Sequence, residues 1–223
     1  IIIKLDNFDH LNIDDTIITV GAGYSLMKLA LALTRRGLIG LDYAIGIPGT
    51  IGGAIFMNAG AYKSDMGYIV SKVRVLTPAL EIKCLYNSDM DFHYRTSFLQ
   101  KNPDYICLGA TLVLKHGDRE QLLAISEDRK QRRLISQPLE FPSAGSVFRN
   151  PENEFAGHLI EDCELKGAKI GGAMVSPKHA NFIINVDNAT AIDIKELIDL
   201  VKNKVLEKYN IELKVEQEFV NWE

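Results

Sequence analysis

Ser146 stands among small residues in FPSAGSVFRNP, Phe141 to Pro151, a setting that leaves its hydroxyl accessible. A serine hydroxyl attacks as a nucleophile when a neighbouring base takes its proton. It gives up that proton as an acid when cations or donors stabilise the alkoxide. The frame is SAGSV, and Phe148 falls where a G-x-S-x-G elbow needs glycine. A turn serine bonded to its own backbone is the alternative. Arg95, flanked by Tyr94 and Thr96 in FHYRTS, offers a planar positive fork to an anion, or else a surface ion pair. Glu216 in ELKVEQEFV is an acid candidate or a solvated surface carboxylate. Lys166 in ELKGAKIGGA, with Lys178 and His179 in SPKHAN, suits phosphate or sugar contacts. A lone histidine is more often structural than a ligand.

The stretch Gly37 to Tyr62, GLIGLDYAIGIPGTIGGAIFMNAGAY, holds seven of the 17 glycines and a single charge, Asp42. Glycine frees the backbone for positive φ or for close approach to another group. Used seven times in one apolar segment, that freedom implies a backbone laid against something flat or phosphorylated. Pro48 and the Gly49, Gly52, Gly53 cluster interrupt the segment and argue against a membrane span. A packed glycine turn without a ligand is the other reading. The polar groups Asn58 and Tyr62 at its end favour the ligand.

These groups need elements to position them. Ile1 to Leu5 and Thr16 to Val20 read as strands. The second runs into Gly21-Ala22-Gly23, then Ser25 as helix cap, then Leu26, Leu29, Ala30 and Leu33 at helical spacing, with Gly37 as the stop. Strand, glycine turn and helix invite a dinucleotide reading, but the third glycine and the later acid of that fingerprint are missing. Strand-like runs follow at Ile69 to Thr77, Glu81 to Tyr86 and Tyr105 to Lys115. The charged stretch Asp118 to Ile135 reads as a connecting helix, Phe155 to Cys163 as a helix, and Ala180 to Val186 as a strand. Thr190 to Tyr209 reads as an amphipathic helix with a stripe of Ile194, Leu197, Ile198, Val201 and Val205. Helices and strands are mixed without repeat, so the fold class is α+β, with a boundary near residues 116–136.

Composition is that of a soluble globular chain, 47% hydrophobic and 24% charged. The net charge of −4 argues against nucleic acid as the main partner. Cys84, Cys107 and Cys163 are odd in number and far apart, which fits a reducing cytoplasm and neither a disulfide framework nor a metal site. The opening IIIKLDNF has no secretory signal and starts inside a β-like run. Further residues are expected before Ile1.

The order GIPGTIGGAIFMNAGAY, HYRTS, QPLEFPSAGSVFRNP, LIEDCELKGAKIGGAMVSPKHANFIINVDNATAIDI and IELKVEQE, spread over residues 1–220, resembles the UDP-N-acetylenolpyruvoylglucosamine reductase (MurB) family. It is similar to that family's shorter type, since no tyrosine-bearing insertion appears near Tyr105. The resemblance implies an FAD-binding subdomain of the vanillyl-alcohol-oxidase-like (PCMH) type and a smaller α+β substrate-binding domain. It divides the chain into an FAD-binding part over 1–117, a connecting helix over 118–136, a substrate domain over 137–214 and a tail over 215–223. It implies bound FAD, NADPH as reductant, and reduction of UDP-N-acetylglucosamine enolpyruvate to UDP-N-acetylmuramate, a peptidoglycan precursor, by a monomer in the bacterial cytoplasm.

Carried over, the motifs imply Arg95 as the catalytic arginine, Ser146 as proton donor and Glu216 as the glutamate of the terminal pattern. FAD contacts are implied at Gly21, Gly23, Ile47, Pro48, Gly49, Thr50, Gly52, Gly53, Ala54, Asn58 and Gly60. Substrate contacts are implied at Asn150, Lys166, Lys178 and His179. The family's N-terminal subdomain, which helps cradle the FAD pyrophosphate, is expected upstream of Ile1. Lys63-Ser64 replaces a glycine after the tyrosine, Ile45 a small residue or cysteine, and Ser136 a basic residue.

Overall fold

The computed structural model describes residues 4–222. The chain forms two compact units, the first up to Gln131 and the second from Arg132.

The first unit is built on an antiparallel sheet. Its strands are β1 (Leu11–Asp14), β2 (Ile17–Gly21), β6 (Val70–Leu76), β7 (Ile82–Tyr86) and β8 (Ile106–Val113), in the order β1-β2-β8-β6-β7. Strand side chains alternate between faces. Ile18, Val20, Val73, Val75, Ala110 and Leu112 therefore face a core completed by Leu26, Leu29 and Leu33 of helix α1 (Leu26–Arg35). Ile51 and Ile55 of the short helix α2 (Ile51–Phe56) join the same core. The opposite sheet face carries Thr19, Lys72, Arg74 and Thr111.

The expected α1 forms as read: the Ser25 hydroxyl accepts from the Lys28 N–H, and Gly37 ends the turn at φ +73°. Two small ladders tie the loops. The strands β3 (Leu38–Ile39) and β9 (Lys115–His116) form one, and the hairpin β4 (Gly60–Ala61) with β5 (Ser64–Asp65) forms the other. The hairpin turns through Tyr62 and Lys63, both left-handed at φ +54° and +63°, the geometry a tight two-residue hairpin demands. A single helical turn, α3 (Phe98–Lys101), precedes β8.

Helix α4 (Arg119–Ser136) carries the chain into the second unit. There β10 (Ser143–Ser146), β11 (Lys169–Ile170), β12 (Ala173–Val175) and β13 (Phe182–Asn185) form a sheet in the order β10-β13-β12-β11. Helices α5 (Ala156–Asp162) and α6 (Ala191–Tyr209) pack with it through Leu159, Ile160, Leu197, Ile198, Val201 and Val205. Thr190 caps α6 with a reciprocal box: its hydroxyl accepts from the Asp193 N–H at 3.1 Å, and Asp193 Oδ2 accepts from the Thr190 N–H at 2.9 Å. Asn210 ends the helix in the left-handed region, at φ +55°.

Three readings need adjustment. The strand expected over Ile1 to Leu5 lies partly outside the described residues, and Lys4 and Leu5 are not strand. Strand β1 was unforeseen because LNID is short and half polar. Strand β10 was unforeseen because SAGS has no β-branched residue.

Candidate functional site

In the first unit the glycine-rich segment is stitched to the turn after β2. Leu26 N–H donates to the Gly49 carbonyl at 3.0 Å, Ile51 N–H to Tyr24 at 2.9 Å, and Gly52 N–H to Ala22 at 2.8 Å. A Cβ on Gly52 would sit 3.1 Å from the Ala22 Cβ, so glycine is what permits that approach. Thr50 caps α2, its hydroxyl accepting from the Gly53 N–H.

Eleven residues were expected to contact the cofactor, and they fall into distinct settings. Pro48, Gly49, Thr50 and Gly53 are exposed. At Gly49, φ is +125° and no atom lies within 4 Å of where a Cβ would stand. These four form an uncharged shelf with bare backbone beside open space, which fits a flat or phosphorylated group such as FAD. Ile47 and Gly60 are half-buried, while Ala54 and Gly52 are buried. Gly21 and Gly23 serve the chain itself: a Cβ at either would come within 2.0 Å of the Phe8 or Leu5 carbonyl oxygen. Asn58 is 1% exposed and its amide is used at both ends inside the protein.

Asn58 joins this shelf to Arg95. Asn58 Nδ2 donates to the His93 carbonyl at 2.9 Å, and its Oδ1 accepts from the Gly67 N–H at 2.9 Å. His93 and Thr96 close a two-way backbone bridge around Tyr94 and Arg95, with Arg95 left-handed at φ +53°. Arg95 Nη2 donates to the Gly60 carbonyl at 3.0 Å, and its guanidinium lies 5.0 Å from the Tyr94 ring centre. Ser97 Oγ and Gln100 Nε2 both donate to the Phe56 carbonyl. The arginine turn is therefore held by the end of the glycine-rich segment.

That segment is braced in turn. Tyr43 OH donates to the Ala59 carbonyl at 3.1 Å. Burial, with the charges of Asp65 and Asp42 adding, pushes the Tyr43 phenol far above its ordinary value and keeps it a neutral donor. Arg129 pairs with Asp42, and its guanidinium lies 4.5 Å from the Tyr62 ring centre.

In the second unit Ser146 ends β10 and is exposed, paired in register with Phe182. The register shifts between Ser143 and Ser146, and Gly145 is left-handed at φ +80° with open space around it. A glycine bulge of this kind re-aims the neighbouring side chain. Beyond Ser146 the backbone is gripped from two sides. Asn181, 5% exposed, accepts from the Phe148 N–H at 2.9 Å and donates to the Phe148 carbonyl at 2.8 Å. On the other side the Glu216 N–H donates to the Val147 carbonyl at 2.8 Å, and Arg149 N–H to Lys214 at 2.9 Å. The segment bearing Glu216 is thus laid directly beside the one bearing Ser146.

Lys166, Lys178 and His179 line one open cavity of about 390 Å³, together with His158 and Phe155. Lys166 pairs with Glu161 at 2.6 Å, and Lys178 donates to the Leu134 carbonyl at 2.9 Å. Burial pulls the His179 pKa down, and the Lys166 charge adds to this. Its Nδ1 accepts from the Asn181 N–H at 3.2 Å, leaving Nε2 as the protonated nitrogen. Asn150 stands apart from the cavity lining: its Oδ1 accepts from the Ala156 N–H at the start of α5. Asn181 and His158 were missed by the sequence reading. The signal for Asn181 was a polar residue opening the apolar run NFIIN.

The fold and the shelf define a flavin-binding oxidoreductase architecture, and residues 1–83 match the model of an FAD-binding domain. Residues 137–220 match the C-terminal domain of UDP-N-acetylenolpyruvoylglucosamine reductase. The reductase of that name from Anoxybacillus flavithermus is 49% identical over 221 residues, covering 99% of this chain and 73% of that protein. The Bacillus subtilis reductase is 46% identical over the same share of each. The crystal structure of the Thermus caldophilus reductase superimposes with a TM-score of 0.79 at 36% identity, over 90% of this chain and 71% of that one. The chain belongs to the UDP-N-acetylenolpyruvoylglucosamine reductase family.

Proposed function

We propose that this chain reduces UDP-N-acetylglucosamine enolpyruvate to UDP-N-acetylmuramate with NADPH, as an FAD enzyme of peptidoglycan precursor synthesis. The observation that carries the reading is the tie between the exposed Pro48–Thr50 shelf and the arginine turn, through Asn58 and Gly60. It fits a cofactor platform with a fixed cation at its edge. FAD, when bound, supplies the hydride relay from NADPH to the methylene carbon of the enolpyruvyl group.

The protein's residues do the rest. Pro48, Gly49, Thr50 and Gly53 would hold the cofactor through backbone contact. Negative charge gathers on the carbon next to the carboxylate, and the permanently charged guanidinium of Arg95 stabilises it. Ser146 Oγ delivers the proton to that carbon. Glu216 supports the transfer as a protonated acid or by orienting a proton network, since a carboxylate charge beside an enolate would oppose it. Lys166, Lys178 and His179 offer donors to the phosphates and sugar of the nucleotide, and Asn150 a further contact. Cofactor binding falls to the first unit and substrate binding to the second. We place the enzyme in the bacterial cytoplasm as a monomer.

The test uses the purified chain with added FAD. A flavin absorbance band near ~450 nm should appear, NADPH should bleach it, and the enolpyruvyl nucleotide should restore it. A bleached sample that oxygen restores and the nucleotide does not would sink the reading.

A further inference from the structure

The sheet face of the first unit that points away from its core carries a hollow of about 270 Å³ outside the machinery described above. Two registered rows build it. Lys72, Thr111 and Thr19 lie side by side across β6, β8 and β2. In the next row Cys84, Arg74 and Gly109 lie side by side across β7, β6 and β8. Gly109 leaves the floor of this row without a side chain. A Cβ on Gly109 would come within 2.7 Å of the Val20 carbonyl oxygen. His10 also lines the hollow.

The chemistry of the lining is one-sided. It holds Lys72, Arg74 and His10, two threonine hydroxyls and no carboxylate. Elsewhere on the same unit several cations are matched: Lys83 with Glu81, Lys101 with Asp91, Arg129 with Asp42. Among the described residues neither Lys72 nor Arg74 has an ion-pair partner. Two cations two residues apart on one strand face, left unmatched over a glycine floor in a chain of net charge −4, are the features of an anion site. The guanidinium fork and threonine hydroxyls match phosphate oxygens in geometry and in donor type.

We propose that this hollow binds the diphosphate group of a small-molecule anion, with Lys72 and Arg74 as charge partners and Thr19 and Thr111 as hydroxyl donors. The site lies on the far face of the sheet from α2. It connects to the glycine-rich segment through β8, on whose other face α2 packs, and through the Gly21–Ala22 turn, whose Ala22 carbonyl accepts from the Gly52 N–H. Occupancy would thus be felt at the cofactor shelf without competing for it.

Cys84 is exposed within the hollow, whereas Cys107 is buried and Cys163 lies in the second unit, so alkylation of Cys84 reports on the site. The probes are inorganic pyrophosphate and ADP, with iodoacetamide labelling of the FAD-loaded protein read by peptide mass spectrometry. Pyrophosphate should slow Cys84 labelling and leave Cys163 unchanged. Lys72→Gln/Arg74→Gln, two exposed positions, should weaken that protection at least about tenfold. Protection by both probes assigns a site that reads the diphosphate alone, and protection by ADP only assigns one for a nucleoside diphosphate. The proposal is overturned by no protection from either probe, by equal slowing at Cys163, or by full protection in the double variant.

Discussion

Asn58 Nδ2 donates to the His93 carbonyl at 2.9 Å, joining the end of the glycine-rich segment to the turn that bears Arg95. The amide oxygen of the same side chain holds the Gly67 N–H. Asn58 itself is left-handed at φ +42°, a conformation asparagine tolerates better than most residues. One buried amide thus sets the position of a cation thirty-odd residues further on.

Asn58→Leu should therefore damage stability and chemistry together. Leaving the His93 carbonyl and Gly67 N–H without partners costs about 2–4 kcal/mol. Thermal unfolding measures that loss, and reoxidation of the NADPH-reduced enzyme by the enolpyruvyl nucleotide should slow even at temperatures where the variant is folded.

Ser146 is exposed and outside the packed core, so Ser146→Ala should leave the melting temperature within a degree or two. Flavin reduction by NADPH should be unchanged in stopped-flow. Reoxidation by the enolpyruvyl nucleotide should fall by roughly 10²–10⁴ if the hydroxyl supplies the proton. Equal reoxidation in parent and variant removes that role.

Arg95→Lys keeps a charge but loses the fork that donates to the Gly60 carbonyl and, in the proposed mechanism, to the developing anion. Reoxidation should drop by about 10²-fold or more, with cofactor content preserved. A lysine variant as fast as the parent would show that only net charge matters at this position.

Asn181 is buried and clasps Phe148 through both ends of its amide. Asn181→Ala should destabilise the second unit by about 2–4 kcal/mol, measured by urea unfolding. Its kcat should fall more than the cavity residues' distance from the change would suggest, because Val147 and Phe148 continue the strand that bears Ser146.

The carboxyl of Asp193 is held below its ordinary pKa, first by the Thr190 N–H and then by the Gly172 N–H. A depressed carboxylate adds stability above its unfolded pKa, near ~3.9, and loses it as pH falls through the lower folded value. Urea midpoints measured from pH 6 downward, in roughly half-unit steps, should show a steeper acid decline for the parent than for Asp193→Asn. Thr190→Ala removes the partner hydroxyl and should cost about 1 kcal/mol at neutral pH.

Much of the scaffold was legible because its signals are local. Ser25 before an apolar 3–4 spacing announced α1, and the stripe of Ile194, Leu197, Ile198, Val201 and Val205 announced α6. The strand-like run Ile69 to Thr77 announced β6, in which the fold turns Val73 and Val75 inward. What stayed hidden depends on contacts distant in sequence. Strand β10 has the composition of a turn and becomes a strand only because Phe182 and Ile184 offer an edge. Asn58 read as a ligand contact because nothing in its neighbourhood reveals the His93 carbonyl. Gly21 and Gly23 read as cofactor glycines, and the crossing of residues 5–8 over them appears only in three dimensions. The proposal of Arg95, Ser146 and Glu216 as a catalytic set comes from motif order, since each alone has an ordinary structural explanation.

Lys63 occupies the left-handed second corner of the β4–β5 hairpin, a conformation that disfavours a side chain by about 1 kcal/mol. The corner therefore holds a small loss that Lys63→Gly would recover. Such a position is an evolutionary reserve. A chain carrying Lys63→Gly could absorb a destabilising change elsewhere, such as one in the cavity lined by Lys166, Lys178 and His179, and still remain folded. Directed evolution of this chain would then be expected to collect that substitution early, as a permissive step ahead of destabilising changes.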